Sequence, residues 1–165
     1  EIPTEIINEI LNNADRAPTH KFTEPWRFKV IMGEKKTELG EFLSKKYKQI
    51  TPKEDFNERK FEKFLFNSKA ADTIISIGML KDPGNSVPEW EEVAAVAMAV
   101  QNMHLTCTAY DIGAYWSSPK VIEYMEEFFP MEIGEKCLGF FYMGYYDKEL
   151  PLSKRKPLKD KVDWL

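Results

Sequence analysis

The segment from Pro88 to about Tyr110 constrains the fold more than any other part of the sequence. Proline suits the first position of a helix, and Glu89, Glu91 and Glu92 suit the positive end of the helix dipole. The run Val93–Val100 is apolar at every position, so we expect this helix to be buried on all sides. A chain of 165 residues buries such a helix more easily when a second subunit covers part of it, which favours a homodimer.

Apolar runs of strand length lie on both sides of this helix. Their β-branched and aromatic residues predict strands at Trp26–Ile31, Thr73–Leu80 and Cys137–Tyr146, and a shorter strand at Ala114–Ser118. Helical spacing of apolar residues predicts further helices around Ile6–Ala14, Leu39–Tyr47 and Phe61–Leu65, and a short one over Val121–Phe129. The pattern is typical of a single α/β or α+β domain over residues 1–165, with a mixed sheet flanked by helices.

Composition argues against several classes of function. The net charge of −4 argues against a general nucleic-acid or membrane surface, and no apolar run reaches the roughly 18 to 20 residues that span a bilayer. Two histidines and two cysteines, all scattered, do not suggest a metal site. Cys107 and Cys137 form no CxxC pair, so we interpret them as reduced thiols of a cytoplasmic protein.

The loop between the first helix and the first strand is the best candidate for a ligand site. Pro18 ends the helix and Pro25 ends the loop, which leaves a polar, cationic segment between two rigid elements. Such a segment suits an anionic, planar ligand. Arg16 could hold a phosphate with its guanidinium or could simply favour the negative end of the helix dipole, and His20 could be a ligand contact or an inert surface residue.

Other candidate residues have structural interpretations beside the functional ones. The hydroxyls at Trp116–Ser118 could cap the next helix or donate to a phosphate. We expect Trp26 to pack in the core and His104 to lie in the core or at an interface. The sequence contains no GxGxxG and no P-loop, so any nucleotide cofactor must be held by dispersed contacts.

These residues together resemble the nitroreductase family of FMN enzymes, in its compact form with histidine in the first loop. The resemblance starts from Arg-Ala-Pro-Thr-His at residues 16–20 and Pro-Trp-Arg-Phe-Lys-Val-Ile at residues 25–31. It continues through residues 81–90, 99–105, 113–118, 138–144 and 155–157. The resemblance implies an α+β fold and an intertwined homodimer with FMN at the subunit interface.

By the same resemblance, the cofactor-binding residues are Arg16, Pro18, Thr19, His20, Trp116, Ser117 and Ser118. Ser117 stands where the family often has arginine, so we expect weaker phosphate binding there unless Arg155 or another cation substitutes. Nothing in the sequence matches the Arg-Arg-Ser segment with which the family usually opens, and we expect this segment to be missing. Residues 148–165 would form a C-terminal arm.

The implied activity is hydride transfer from NAD(P)H through the flavin to a small-molecule acceptor such as a nitroaromatic or a quinone. We name no catalytic residue, because the chemistry belongs to the flavin and the protein supplies orientation and electrostatics. A flavin reductase or dehydrogenase with one particular metabolite as substrate is a second reading. The alternatives are a flavin-binding or interaction protein with little turnover, because of Ser117 and the missing segment, and a structural dimer without a cofactor.

Overall fold

A four-stranded sheet lies between two layers of helices. The computed structural model describes residues 1–147 and 154–165, so residues 148–153 of the predicted C-terminal arm lie outside the described part. The strands are β1 (Trp26–Ile31), β2 (Thr73–Leu80), β3 (Gly113–Ser117) and β4 (Glu135–Gly144), in the spatial order β1-β2-β4-β3. The helices are α1 (Thr4–Ala14), α2 (Glu34–Ile50), α3 (Glu58–Ala70) and α4 (Glu89–Ala109). The predicted bounds of β1 and β2 are confirmed to the residue.

The sheet is antiparallel at each pairing that the described residues form, and the expectation of a mixed sheet is wrong in this respect. Two helices connect β1 to β2 and return the chain to the end of the sheet where β1 stops, so β2 runs in the opposite direction. The strands β2 and β3, which one helix connects, do run in the same direction, but β4 lies between them. The α+β class that the resemblance implied is confirmed.

Each face of the sheet carries its own hydrophobic core. On one face, α1 and α4 pack on Ile75, Ile77 and Phe141. On the other, α2 and α3 pack on Ile74 and Phe140, together with a 3-10 helix over Lys120–Glu127. This 3-10 helix stands where the sequence predicts a short helix over Val121–Phe129, and it is interrupted by non-helical backbone angles at Tyr124.

Helix α4 is not buried on all sides within one chain. Its inner face is fully covered, with Val96, Ala99 and Met103 almost inaccessible to solvent. Its outer face leaves an exposed apolar stripe of Trp90, Met98 and Leu105, which recur at helical spacing. Part of this apolar helix therefore remains for another molecule to cover.

Candidate functional site

The first loop, residues 15–25, turns back on itself through hydrogen bonds of its own residues. The Thr19 hydroxyl lies 3.1 Å from the Thr23 hydroxyl and accepts a hydrogen bond from the Glu24 amide at 3.2 Å. Lys21, Phe22 and Glu24 all adopt positive φ, an unfavourable conformation for residues with a side chain. The loop is thus held in a compact shape at a local conformational cost.

The N-terminal part of α4 fixes this loop. The His20 Nδ1 atom is hydrogen bonded to the Glu91 carboxylate, and Lys21 Nζ donates to the Ser86 carbonyl at 2.8 Å. Because Nδ1 faces a carboxylate, it carries the proton, and the other ring nitrogen remains to meet a ligand. An open groove of about 380 Å³ runs between loop and helix, lined by Pro18, Thr19, His20, Trp90, Glu91, Ala94, Ala95 and Met98.

Arg16 and Trp26 lie at the base of the loop. Trp26 is buried, as predicted, and its indole Nε1 donates to the Asp15 carboxylate at 3.0 Å, which ties the end of α1 to the start of β1. Arg16 is exposed just beyond α1 and is not among the residues that line the groove. Its backbone amide continues the helical turn by donating to the Asn13 carbonyl at 3.2 Å.

The second predicted segment, residues 116–118, lies beside a bulge in β4, where β4 pairs with β2. The register there shifts between Ile77 and Gly78, which leaves Leu138 as an extra residue, and the Trp116 indole donates to the Leu138 carbonyl at 3.1 Å. The indole N–H is therefore already used within the protein. Trp116 can offer a ligand its ring or its backbone, but not this donor.

Ser117 and Ser118 line two different pockets. Ser118 borders a cavity of about 590 Å³ beneath the 3-10 helix, together with Met125, Cys137 and Leu138. Ser117 borders a smaller pocket of about 260 Å³ whose lining residues are Lys60, Lys63, Phe64, Asn67, Pro119 and Tyr142. Burial, and next the neighbouring Tyr115 ring, raise the pKa of Tyr142 well above its usual range, so this phenol is neutral.

The two predicted segments line different pockets of the chain. The groove at the first loop shares no lining residue with the pockets at Ser117 and Ser118. The described residues thus place the two predicted segments on separate surfaces of the chain.

Sequence reasoning missed several residues of these surfaces. Glu91 was assigned only to the helix start, although it contacts a loop residue 71 positions earlier, and Trp90 was not singled out as a site residue. Lys60 and Lys63 were not singled out, because only the apolar residues of this helix were used to predict it. The signal that was available is their spacing with Asn67 at i, i+3 and i+7, which places all three on one face of α3.

In the described part of the chain, the side chains of Cys107, Cys137 and His104 make their contacts with other residues and not with one another. Both cysteines are free and buried; burial raises the pKa of Cys107 to about 11 and also raises that of Cys137, so both stay protonated at neutral pH. The His104 ring lies edge-on to the Phe141 ring, with 4.6 Å between the ring centres, and burial lowers the pKa of His104.

No group of side chains that could hold a metal ion occurs among residues 1–147 and 154–165. Within the same ranges, every helix is too short or too polar to cross a membrane.

Solved structures with the same arrangement of helices and strands show which fold the chain has. The chain superposes on a nitroreductase-like family protein from Bacillus cereus with a TM-score of 0.79, at 26% identity, covering 99% of this chain and 86% of that one. It also superposes on the FMN-dependent nitroreductase NfnB from Mycobacterium smegmatis, solved in complex with NADPH, with a TM-score of 0.76. That match has 17% identity and covers 99% and 89% of the two chains, so it shows the fold alone. The fold is that of nitroreductase-like proteins.

Sequence comparison identifies the family. A sequence model described as "Nitroreductase family" matches residues 1–145. A Bacillus subtilis relative named "Putative NAD(P)H nitroreductase YfhC" is 26% identical over 163 residues, which are 97% of this chain and 82% of the relative. The chain belongs to the nitroreductase family, as its sequence motifs predicted, and is a nitroreductase-like enzyme.

Proposed function

We propose that the chain is an FMN-dependent oxidoreductase that passes hydride from NAD(P)H to a nitroaromatic, a quinone or a similar small acceptor. The observation that carries the proposal is the family match over residues 1–145, which includes the first loop. In the structure this loop contacts α4 through His20 and Glu91. The relatives support the choice of cofactors, because NfnB is named FMN-dependent and was solved with NADPH, and YfhC is named for NAD(P)H.

The groove at the first loop suits the flavin ring of FMN, and the pocket at Ser117 suits an anionic group. The groove at the first loop combines apolar side chains, Trp90 and Met98, with the polar Thr19 and His20, which suits a planar ring with polar edges. The pocket at Ser117 is lined by two lysines, which suits an anionic group. The residues present therefore fit this cofactor chemically.

The predicted contacts divide accordingly between these surfaces. Pro18, Thr19 and His20 would contact FMN from the groove, and Arg16 would reach it from the base of the loop. Trp116, Ser117 and Ser118 would contact it from the end of β3. Since the two segments line different pockets of one chain, we place FMN between two subunits. Each subunit would cover the exposed stripe of α4 on the other.

In this proposal the residues of the chain bind, orient and exclude water. FMN, when bound, supplies the hydride-accepting chemistry, and no general acid or nucleophile of the protein is required. Glu91 holds the His20 ring in one orientation through its hydrogen bond with Nδ1. The apolar groove residues keep water from the ring. We place the enzyme in the cytoplasm, where the free thiols would stay reduced.

The visible spectrum of the purified protein tests the proposal directly. We expect a yellow protein, as isolated or after incubation with FMN, whose flavin band bleaches under anaerobic NADH or NADPH and recovers when a quinone or nitroaromatic is added. Protein that stays colourless in FMN would contradict the proposed function. Protein that binds FMN but shows no bleaching with either nucleotide would instead favour a flavin-binding protein with little turnover.

A further inference from the structure

Helix α3 presents two lysines to the pocket that contains Ser117. Lys60, Lys63, Phe64 and Asn67 line this pocket of about 260 Å³ and follow one another at helical spacing, so they form one face of the helix. Resemblance to the family would place an arginine at position 117. Two cations from another element thus border the position where that arginine is absent.

Among the described residues, no acidic side chain lines this pocket, in a chain whose net charge is −4. Lys60 and Lys120 also border an adjoining pocket of about 270 Å³, where Asp55 is the one acidic residue among the lining side chains. Lys60 lies in the first turn of α3, where the helix dipole is itself positive and disfavours a cation. The lysines and the dipole add to one another, which raises the affinity for an anion.

The surrounding contacts hold this face of α3 in place. The Asn57 side chain caps the helix by accepting from the Lys60 amide at 3.1 Å, and the Tyr47 hydroxyl accepts from the Asn57 amide at 3.0 Å. The Lys60 ammonium lies 4.9 Å from the centre of the Tyr47 ring. Asn67 donates to the Tyr115 hydroxyl at 2.8 Å, which fixes the far side of the pocket to β3.

We propose that Lys60 and Lys63 bind an anionic group of the flavin cofactor and replace the arginine that the family often has at position 117. The inference rests on the proposed function. The anionic group is either the phosphate of FMN or the flavin ring itself, which becomes anionic at N1 when it is reduced.

Charge-neutralising variants test the proposal through cofactor binding. If the lysines hold the phosphate, we expect the double variant K60Q/K63Q to bind FMN about tenfold more weakly or worse, measured by quenching of flavin fluorescence. The variant K60R/K63R keeps both charges and should bind close to wild type. Lys69→Gln is the matched control, since Lys69 is an exposed residue of the same helix and is not among the lining side chains of the pocket.

Riboflavin and redox measurements separate the two anionic groups. If the lysines hold the phosphate, the double variant loses affinity for FMN but not for riboflavin, which lacks it. If they hold the reduced ring, the midpoint potential of the bound flavin falls in the double variant, while the affinity for oxidised riboflavin changes little.

The outcomes also separate this inference from the proposed function. Wild-type protein that binds no FMN contradicts both. Wild-type protein that binds FMN, with K60Q/K63Q equal to it in affinity and potential, contradicts only the role of the lysines. Circular dichroism of each variant shows whether α3 has remained folded.

Discussion

Gly139 shows how one residue determines the shape of the second predicted segment. Its φ is 142°, a conformation that favours glycine, and a Cβ there would lie 2.4 Å from the Trp116 indole nitrogen and 2.5 Å from the Ser117 carbonyl oxygen. The strand end that carries the two serines can approach β4 only because position 139 has no side chain.

We expect Gly139→Ala to lower the free energy of unfolding by about 3 kcal/mol, because backbone strain adds to a clash with backbone. Gly134→Ala is the matched control: its φ is also positive, at 87°, but a Cβ there has open space, so we expect a loss of only about 1 kcal/mol. Urea unfolding of both variants gives the two values. Equal losses would show that the contact with Trp116 and Ser117 relaxes without cost.

Single residues also mark the limit of what the sequence could reveal. The proline positions and the cationic composition made the first loop a candidate site, and the buried Trp26 was predicted correctly. The contact of His20 with Glu91 could not be predicted, because it depends on how a loop docks on a distant helix and not on any local pattern. For the same reason, the sequence could not predict that Ser117 lines one pocket with Lys60 and Lys63.

At the scale of elements, the β-strands were the easiest part to predict. Runs such as Thr73–Leu80 are apolar throughout because both faces of a central strand are covered. Their pairing was harder to predict, since two strands that a pair of helices connects can still be neighbours and antiparallel, as β1 and β2 are. The stripe on α4 could not be assigned from hydropathy either, because the helix is apolar on its covered and its exposed faces alike.

A buried ion pair connects two strands that are not neighbours. Lys29 of β1 and Glu135 of β4 pair across β2, at the level of Gly78, where a Cβ would lie 3.0 Å from the Glu135 carboxylate. Glu135 also accepts a hydrogen bond from the Glu132 amide at 2.9 Å, so its carboxylate fixes the turn before β4. The gap above Gly78 allows β1 and β4 to interact directly across β2.

We expect Lys29→Met to cost about 2–3 kcal/mol of unfolding free energy, because it leaves a buried carboxylate without its cation. The figure is below that for a fully buried pair, since the Lys29 side chain is 27% exposed. The double variant K29M/E135Q should recover at least about 1 kcal/mol, as the amide still accepts from Glu132. A double-mutant cycle in urea measures this coupling, and a value near zero would show that the pair contributes little.

At the scale of the whole molecule, the uncovered stripe of α4 stands out. Leu105 is 60% exposed and Trp90 is 69% exposed, on a helix whose other face is the centre of a core. Scattered apolar residues are normal on a protein surface, but an aligned set on a long helix is typical of an interface. The proposed two-chain site uses this surface.

We expect Leu105→Glu to weaken self-association at least about a hundredfold, since a buried interface would have to accept an unpaired charge. Sedimentation velocity should then show a monomer that has also lost bound FMN. Phe66→Glu is the control: Phe66 is 71% exposed on α3, in the opposite helix layer, and its replacement should leave association unchanged. Wild-type protein that is monomeric at micromolar concentration would contradict the two-chain site.

Met98 belongs both to the exposed stripe of α4 and to the groove beside the first loop. If a second copy covers the stripe, the same contact closes the groove, and mass action then links the two equilibria. Diluting the enzyme would then dissociate FMN as well as the subunits, and excess FMN would stabilise the dimer.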